Sequence, residues 1–290
     1  VSGSTNVKIY GGTITNVYGG SNTSGTIGGG QNVTANKNNT QNCDLVISNL
    51  YSGGNKAASG PGSFNIGCVD RIDNLYGGAN QADINGDITL NIVSGKITNV
   101  FGGNNNSGSI SGKITVNVCD NGAGCFDITN VYGGGNKAAY TYSGNAPVVN
   151  VVNATLKGNV FGGGLGASAT VSGNPQVTIG DKVAAHRVAI LNGDVYGGGD
   201  EAPVLGTTTV TVVDDCNTQL RNLYGGGNAA AVGGTHVVYR GGSVTSVFGG
   251  GHGDRSQGKE AKVNGNVQVD LLGGVVRNAV FGGSDSKGHI

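Results

Sequence analysis

The chain has no methionine and no tryptophan, only 4 prolines, and no excess of either charge: 17 Lys and Arg stand against 17 Asp and Glu. Each shortage removes a class of protein. A formal net charge of zero argues against a nucleic-acid partner, which needs a basic face to displace counterions. The same balance leaves no polybasic patch for an anionic membrane surface. No apolar run reaches the ~18 residues of a transmembrane helix, so no membrane insertion is expected of this segment. Helical periodicity is missing throughout. No leader peptide is visible, no Met opens the chain, and the last repeat stops a few residues after Phe281. These features predict a single domain over residues 1–290 that forms part of a longer array.

What is abundant is glycine, 58 of 290 residues. Such a content fits collagen, a disordered linker, or a fold with many tight turns. Collagen is excluded by the absence of a G-X-Y period. Disorder is excluded by alternating runs such as Ile114-Thr115-Val116-Asn117-Val118, which read as strands. Tight turns between strands remain.

The stretch Asn130-Val131-Tyr132-Gly133-Gly134-Gly135-Asn136 recurs in ten versions, marked by Tyr18, Tyr51, Tyr76, Phe101, Tyr132, Phe161, Tyr196, Tyr224, Phe248 and Phe281. Successive aromatics are 33, 25, 25, 31, 29, 35, 28, 24 and 33 residues apart. A unit of about two dozen residues, lengthened by inserted loops, accounts for these intervals. Each unit holds two or three β-rich runs separated by glycine corners, as in Asp87–Val93, Ser94-Gly95 and Lys96–Phe101. Propeller blades need ~40–50 residues, and the six-residue apolar beat of hexapeptide helices is missing. An all-β parallel β-helix, a β-solenoid of about ten coils, fits the interval. Its coiling is expected to be right-handed.

In such a stack, residues of equal phase lie one above another. Asn precedes the aromatic by two positions at Asn16, Asn49, Asn74, Asn99, Asn130, Asn159 and Asn222, with Asp194 in an eighth copy. Asn follows it by four at Asn22, Asn55, Asn80, Asn105, Asn136 and Asn228, with Asp200 and Asp285 in two more. An amide can donate to one neighbouring coil and accept from the other, so both sets predict asparagine ladders at the corners. Asn also tolerates the left-handed backbone that a corner asks for. The Val or Leu just before each aromatic is expected to point inward, and the aromatics to form a second column at least half buried. Glycines after the aromatic are expected to let coils approach closely. The ladders resemble those of right-handed parallel β-helix proteins, including pectate lyases and bacterial surface adhesins. That resemblance is one of architecture and spans the whole chain.

The five cysteines add a covalent expectation. Cys43 and Cys68 each precede a repeat aromatic by eight residues, in consecutive units. Stacking puts their Cα atoms ~4.8 Å apart, within disulfide range. Cys119 and Cys125 flank a short loop whose base they would staple. Cys216 is left as an unpaired thiol, available for a bond between chains. Two disulfides point to an oxidising, extracellular setting. The cysteine spacing does not suit a zinc site.

Candidate acid–base groups stand in four places: Asp214 and Asp215; Asp181 with Lys182, His186 and Arg187; Asp200 with Glu201; and His252 with Asp254 and Arg255. They lie in loops of different phase, so they read as solvated charges rather than one catalytic cluster. Gly249–Asp254 resembles a single calcium-binding repeat turn, but one copy makes no ladder. No catalytic residue, cofactor or metal ligand is therefore assigned. The reading is a non-enzymatic extracellular structural rod, a surface or filament protein that self-associates end to end. Two alternatives are an adhesin binding a glycan or protein through the loops 137–147 and 253–262, and a polysaccharide lyase or hydrolase.

Overall fold

A computed structural model describes residues 3–37, 44–256 and 258–288. Among these residues twenty-two strands follow one another, and every pairing between them is parallel. Each strand finds its partner one repeat further on, so the chain winds into a β-solenoid of about nine turns. The first run of each coil forms one face, divided into a sheet of three strands (Thr5–Ile9, Gln31–Ala35, Gly62–Ile66) and one of seven that begins at Ile88–Ile92 and ends at Val267–Leu271. The second runs, which end at the repeat aromatics, form a sheet of 12. A third, narrow face is made of single bridges such as Ser59 to Ile84 to Ile110.

The sheet of 12 holds more strands than there are coils because two second runs are broken. Ile128 pairs with Leu156 and Val131 with Val160. Between these pairs one coil has Thr129 and Asn130, while the next has Lys157, Gly158 and Asn159. The extra residue bulges out and divides the strand.

The second runs feed two cores, because their alternation is interrupted between the first inward residue and the one before the aromatic. In Phe126–Tyr132, Ile128 and Val131 point into the coil and join the Val, Ile and Leu interior. Tyr132, one residue on, points out of the opposite face. Yet it is only 4% exposed, with the rings of Phe101 and Phe161 stacked on its two faces. The aromatics therefore make a buried core of their own. Their ring planes lie 4–12° apart with centroids 4.7–4.9 Å apart from Tyr18 to Phe281, a stack roughly 43 Å long. Each contact adds about 0.5–1.5 kcal/mol beyond area burial.

The glycine after the aromatic is there for space. Gly102, Gly133, Gly162, Gly197 and Gly225 each face the carbonyl oxygen of the equivalent glycine one coil on, and a Cβ there would overlap it. None of them has a positive φ. The close approach itself excludes a side chain. Gly162→Ala should accordingly lower stability by about 1–3 kcal/mol through overpacking. Gly30→Ala, where a Cβ meets nothing within 4 Å, should change it little. Urea unfolding followed by circular dichroism compares the two.

Candidate functional site

The polar columns are the most ordered feature outside the core. In the column before the aromatics, Nδ2 of Asn49, Asn74, Asn99 and Asn130 donates to Oδ1 of Asn16, Asn49, Asn74 and Asn99, at 3.0–3.1 Å. In the column after them, Asn55, Asn80, Asn105 and Asn136 donate in the same way to the preceding coil, at 2.7–2.9 Å. Asn49 lies within the strand Leu45–Tyr51, whereas Asn55 lies in the bend that follows. The left-handed backbone expected of these residues is not present. Among described residues other than glycine, only Asn153 has a positive φ, 44°. The strand and the bend that hold the ladders need no such conformation.

Where the coil carries its extra residue the first ladder changes form. Oδ1 of Asn130 accepts from the backbone N–H of Asn159, Oδ1 of Asn159 from that of Asp194, and Oδ1 of Asp194 from that of Asn222, at 2.8–3.1 Å. Asp194 also takes both Nε and Nη2 of Arg221, at 2.8 and 2.5 Å. Its side chain is 5% exposed, so the guanidinium offsets a carboxylate that water cannot reach. The second column is interrupted by Leu165 and resumes from Asp200, which accepts from Asn228 at 2.7 Å. It closes with His252 and Asp285, 2.8 Å apart.

Two features escaped the sequence reading. A third ladder runs on the first-run face, where Asn150 donates to Asn117 and Asn117 to Asn91, at 2.9 and 2.8 Å. Its signal is the shared strand ending in Leu90-Asn91-Ile92, Val116-Asn117-Val118 and Val149-Asn150-Val151. Asn104 is buried in the interior, accepting from Ala79 N and donating to Ala82 O. Tyr hydroxyls face the second column: Asn105 Nδ2 donates to Tyr51 at 2.9 Å, and burial pushes the Tyr51 phenol up to about 12.

The cysteine pairing differs from expectation. Cys68 is bonded to Cys125, with Cα atoms 5.3 Å apart, and not to Cys43, which lies outside the described residues. Cys119 does not staple its loop to Cys125; it and Cys216 are free thiols. The loop inserted after Cys119 carries Cys125 back across the intervening coil. That coil offers only Ser94 and Gly95 at the crossing, and Gly95 N donates to Cys125 O. Burial raises the Cys119 thiol, and the Asp181 and Asp120 charges add to that.

The four acid–base groups are gathered into two sites on different sides of the coil. At the corner after the first runs, Asp181 holds His186 at 2.7 Å, and Asn217 donates to the carbonyls of Ala184 and His186. Asp215 there caps its own turn through Asn217 N, Thr218 N and the Thr218 hydroxyl. In the loops after the aromatics, Glu201 pairs with Lys259, Asp254 accepts from Ser256, and Arg255 donates to Ser286 O. Asp181, Asp215, Glu201 and Asp254 thus each serve a turn or an ion pair, while Asp200 accepts from Asn228 in the second column. The stretches expected as binding loops are partly core as well: Tyr140 is 1% exposed, with its hydroxyl donating to Gly112 O, and Ala261 is 1% exposed.

A comparison of the chain with known protein families, with curated proteins and with solved structures finds no match in any of the three.

Arg221→Ala should cost about 2–4 kcal/mol, less than a fully buried pair because Arg221 is half exposed. The double variant R221A/D194N should lose less than R221A alone, read from urea midpoints. Asp200 gives the opposite sign. Burial pushes its carboxyl up, the Asn228 hydrogen bond lowers it, and the Glu201 charge raises it further. With the folded value above the unfolded one, the penalty for ionising it is complete above the folded value and vanishes where both states are protonated. Asp200→Asn should therefore raise the melting temperature at pH 7, by an increment that shrinks as pH falls through the carboxylate range.

Proposed function

We propose that the chain is a non-enzymatic structural rod of a cell-surface or filament protein, assembling by end-to-end stacking of coils. The observation that carries this reading is the continuity of the columns: ring contacts and parallel strand pairs repeat from coil to coil between Tyr18 and Phe281. A further coil in the same register would continue the aromatic stack and the strand ladders with contacts the fold already uses nine times over. In a second copy that coil is the one bearing Tyr18. Each column has a single direction, so stacking is head to tail and does not close on itself.

A disulfide is compatible with an oxidising, extracellular compartment, and a hydrogen-bonded stack with few charged loops offers proteases little. Ligand binding through 137–147 and 253–262 has less support, because both stretches contribute side chains to the core.

Burying one aromatic is worth about 1.5–3 kcal/mol. The variant V280D/F281D should therefore need at least about tenfold more protein before rods longer than one chain form. Electron microscopy and light scattering across a concentration series measure this. Wild-type rods that stay one chain long at the highest concentration would end the proposal.

A further inference from the structure

The loop between Cys119 and Cys125 contains Asn121-Gly122, one of four Asn-Gly pairs in the chain, the others being Asn85-Gly86, Asn192-Gly193 and Asn264-Gly265. Only the first has, among the described residues, a carboxylate on its glycine N–H together with a donor on its asparagine oxygen. The Gly122 N–H donates to Oδ1 of Asp120 at 2.8 Å, so the nitrogen that must attack already has a base on its proton. The Ala123 N–H donates to Oδ1 of Asn121 at 3.0 Å, so the carbonyl that must be attacked is polarised where negative charge would develop. Both Asn121 and Gly122 are exposed.

The loop is also held in this shape. Asp120 N donates to Asn153 O, Asn153 Nδ2 donates back to Asp120 O, and Asn121 N donates to Val93 O, each at 3.0 Å. At the far end Cys125 is tied to Cys68. Gly122 has a φ of 76° with open space at its Cβ position, so nothing crowds a ring forming there. Fixing nucleophile, base and electrophile together removes much of the entropic barrier.

The other pairs lack this combination. The Gly86 N–H donates to the Ser111 hydroxyl, not to a carboxylate. Gly193 is buried against the Gly158 carbonyl. Asn264-Gly265 is exposed, and no carboxylate is described on its glycine N–H.

We propose that Asn121 is a self-modification site, at which the folded loop converts the side-chain amide to a succinimide and then to aspartate or isoaspartate. The Gly122 nitrogen passes its proton to Asp120 and bonds to Cγ of Asn121, and the Ala123 N–H steadies the oxyanion at Oδ1. As the Cγ–Nδ2 bond breaks, Asp120 returns the proton and ammonia leaves. Water then opens the five-membered ring at either carbonyl, so the sum is amide plus water to carboxylate plus ammonia. No oxidant, metal or second protein takes part. The product carries one more negative charge, and the isoaspartate form reroutes the backbone through Cβ within a loop pinned at both ends.

Peptide mapping by mass spectrometry of the intact 290-residue protein, aged at pH 7.4, tests this at all four pairs at once. Asn121 should lose its amide at least about tenfold faster than Asn264, the exposed internal reference, and D120N should remove most of that excess. The chain unfolded in urea with its disulfide reduced should lose the Asn121 amide more slowly than the folded protein. That ordering separates a built site from an Asn-Gly pair that reacts because it is loose. Equal rates at Asn121 and Asn264, an unchanged rate in D120N, or faster loss in urea would each overturn the assignment.

Discussion

Every feature of this molecule depends on one spacing, the distance of ~4.8 Å between hydrogen-bonded parallel strands. Backbone ladders impose it, and the ring stack adopts it, with centroids 4.7–4.9 Å apart. The amide columns fit because an asparagine side chain spans that gap with one hydrogen bond. The glycines after the aromatics are its cost, since at that spacing two facing carbonyl corners leave no room for a Cβ. Sequence repetition is thus the chemical trace of a translational period, and the same few side chains are reused because the same few fit.

Much of this was legible because phase in the sequence becomes position in space. The aromatics, the preceding Val or Leu and the two asparagine sets were counted from one landmark, and Asn74 does lie beneath Asn99. Counting failed wherever an inserted residue intervened. The third ladder was invisible from the aromatics because the offsets from Asn91 to Phe101, Asn117 to Tyr132 and Asn150 to Phe161 all differ. The disulfide was misassigned for the same reason: Cys125 belongs to an inserted loop, and phase does not say where such a loop will lean.

The corner candidates teach a related lesson. Asp181 and Asp215 stand in loops of different length, and linear offsets keep them apart; stacking puts Asn217 of the second loop onto Ala184 and His186 of the first. Chain length between elements decides little in a solenoid, because each coil resets the path at its glycines. The local use of each carboxylate was beyond the sequence, since capping of a turn depends on backbone direction and not on residue type alone. Asp194 holds the ladder place that its phase assigns, between Asn159 and Asn222, and its grip on the Arg221 guanidinium is the part that residue counting did not give.

The amide columns have a direction. In all three, each Asn-to-Asn bond has its N–H pointing toward the N-terminal end of the molecule and its accepting oxygen toward the C-terminal end. Dipoles in file add, as peptide dipoles do along a helix axis. Three such files running the same way give the solid an electrical polarity along its length, with the positive pole at the end bearing Asn16 and Asn22. Particles of this protein placed in a uniform electric field would therefore orient without drifting, because their net charge is zero.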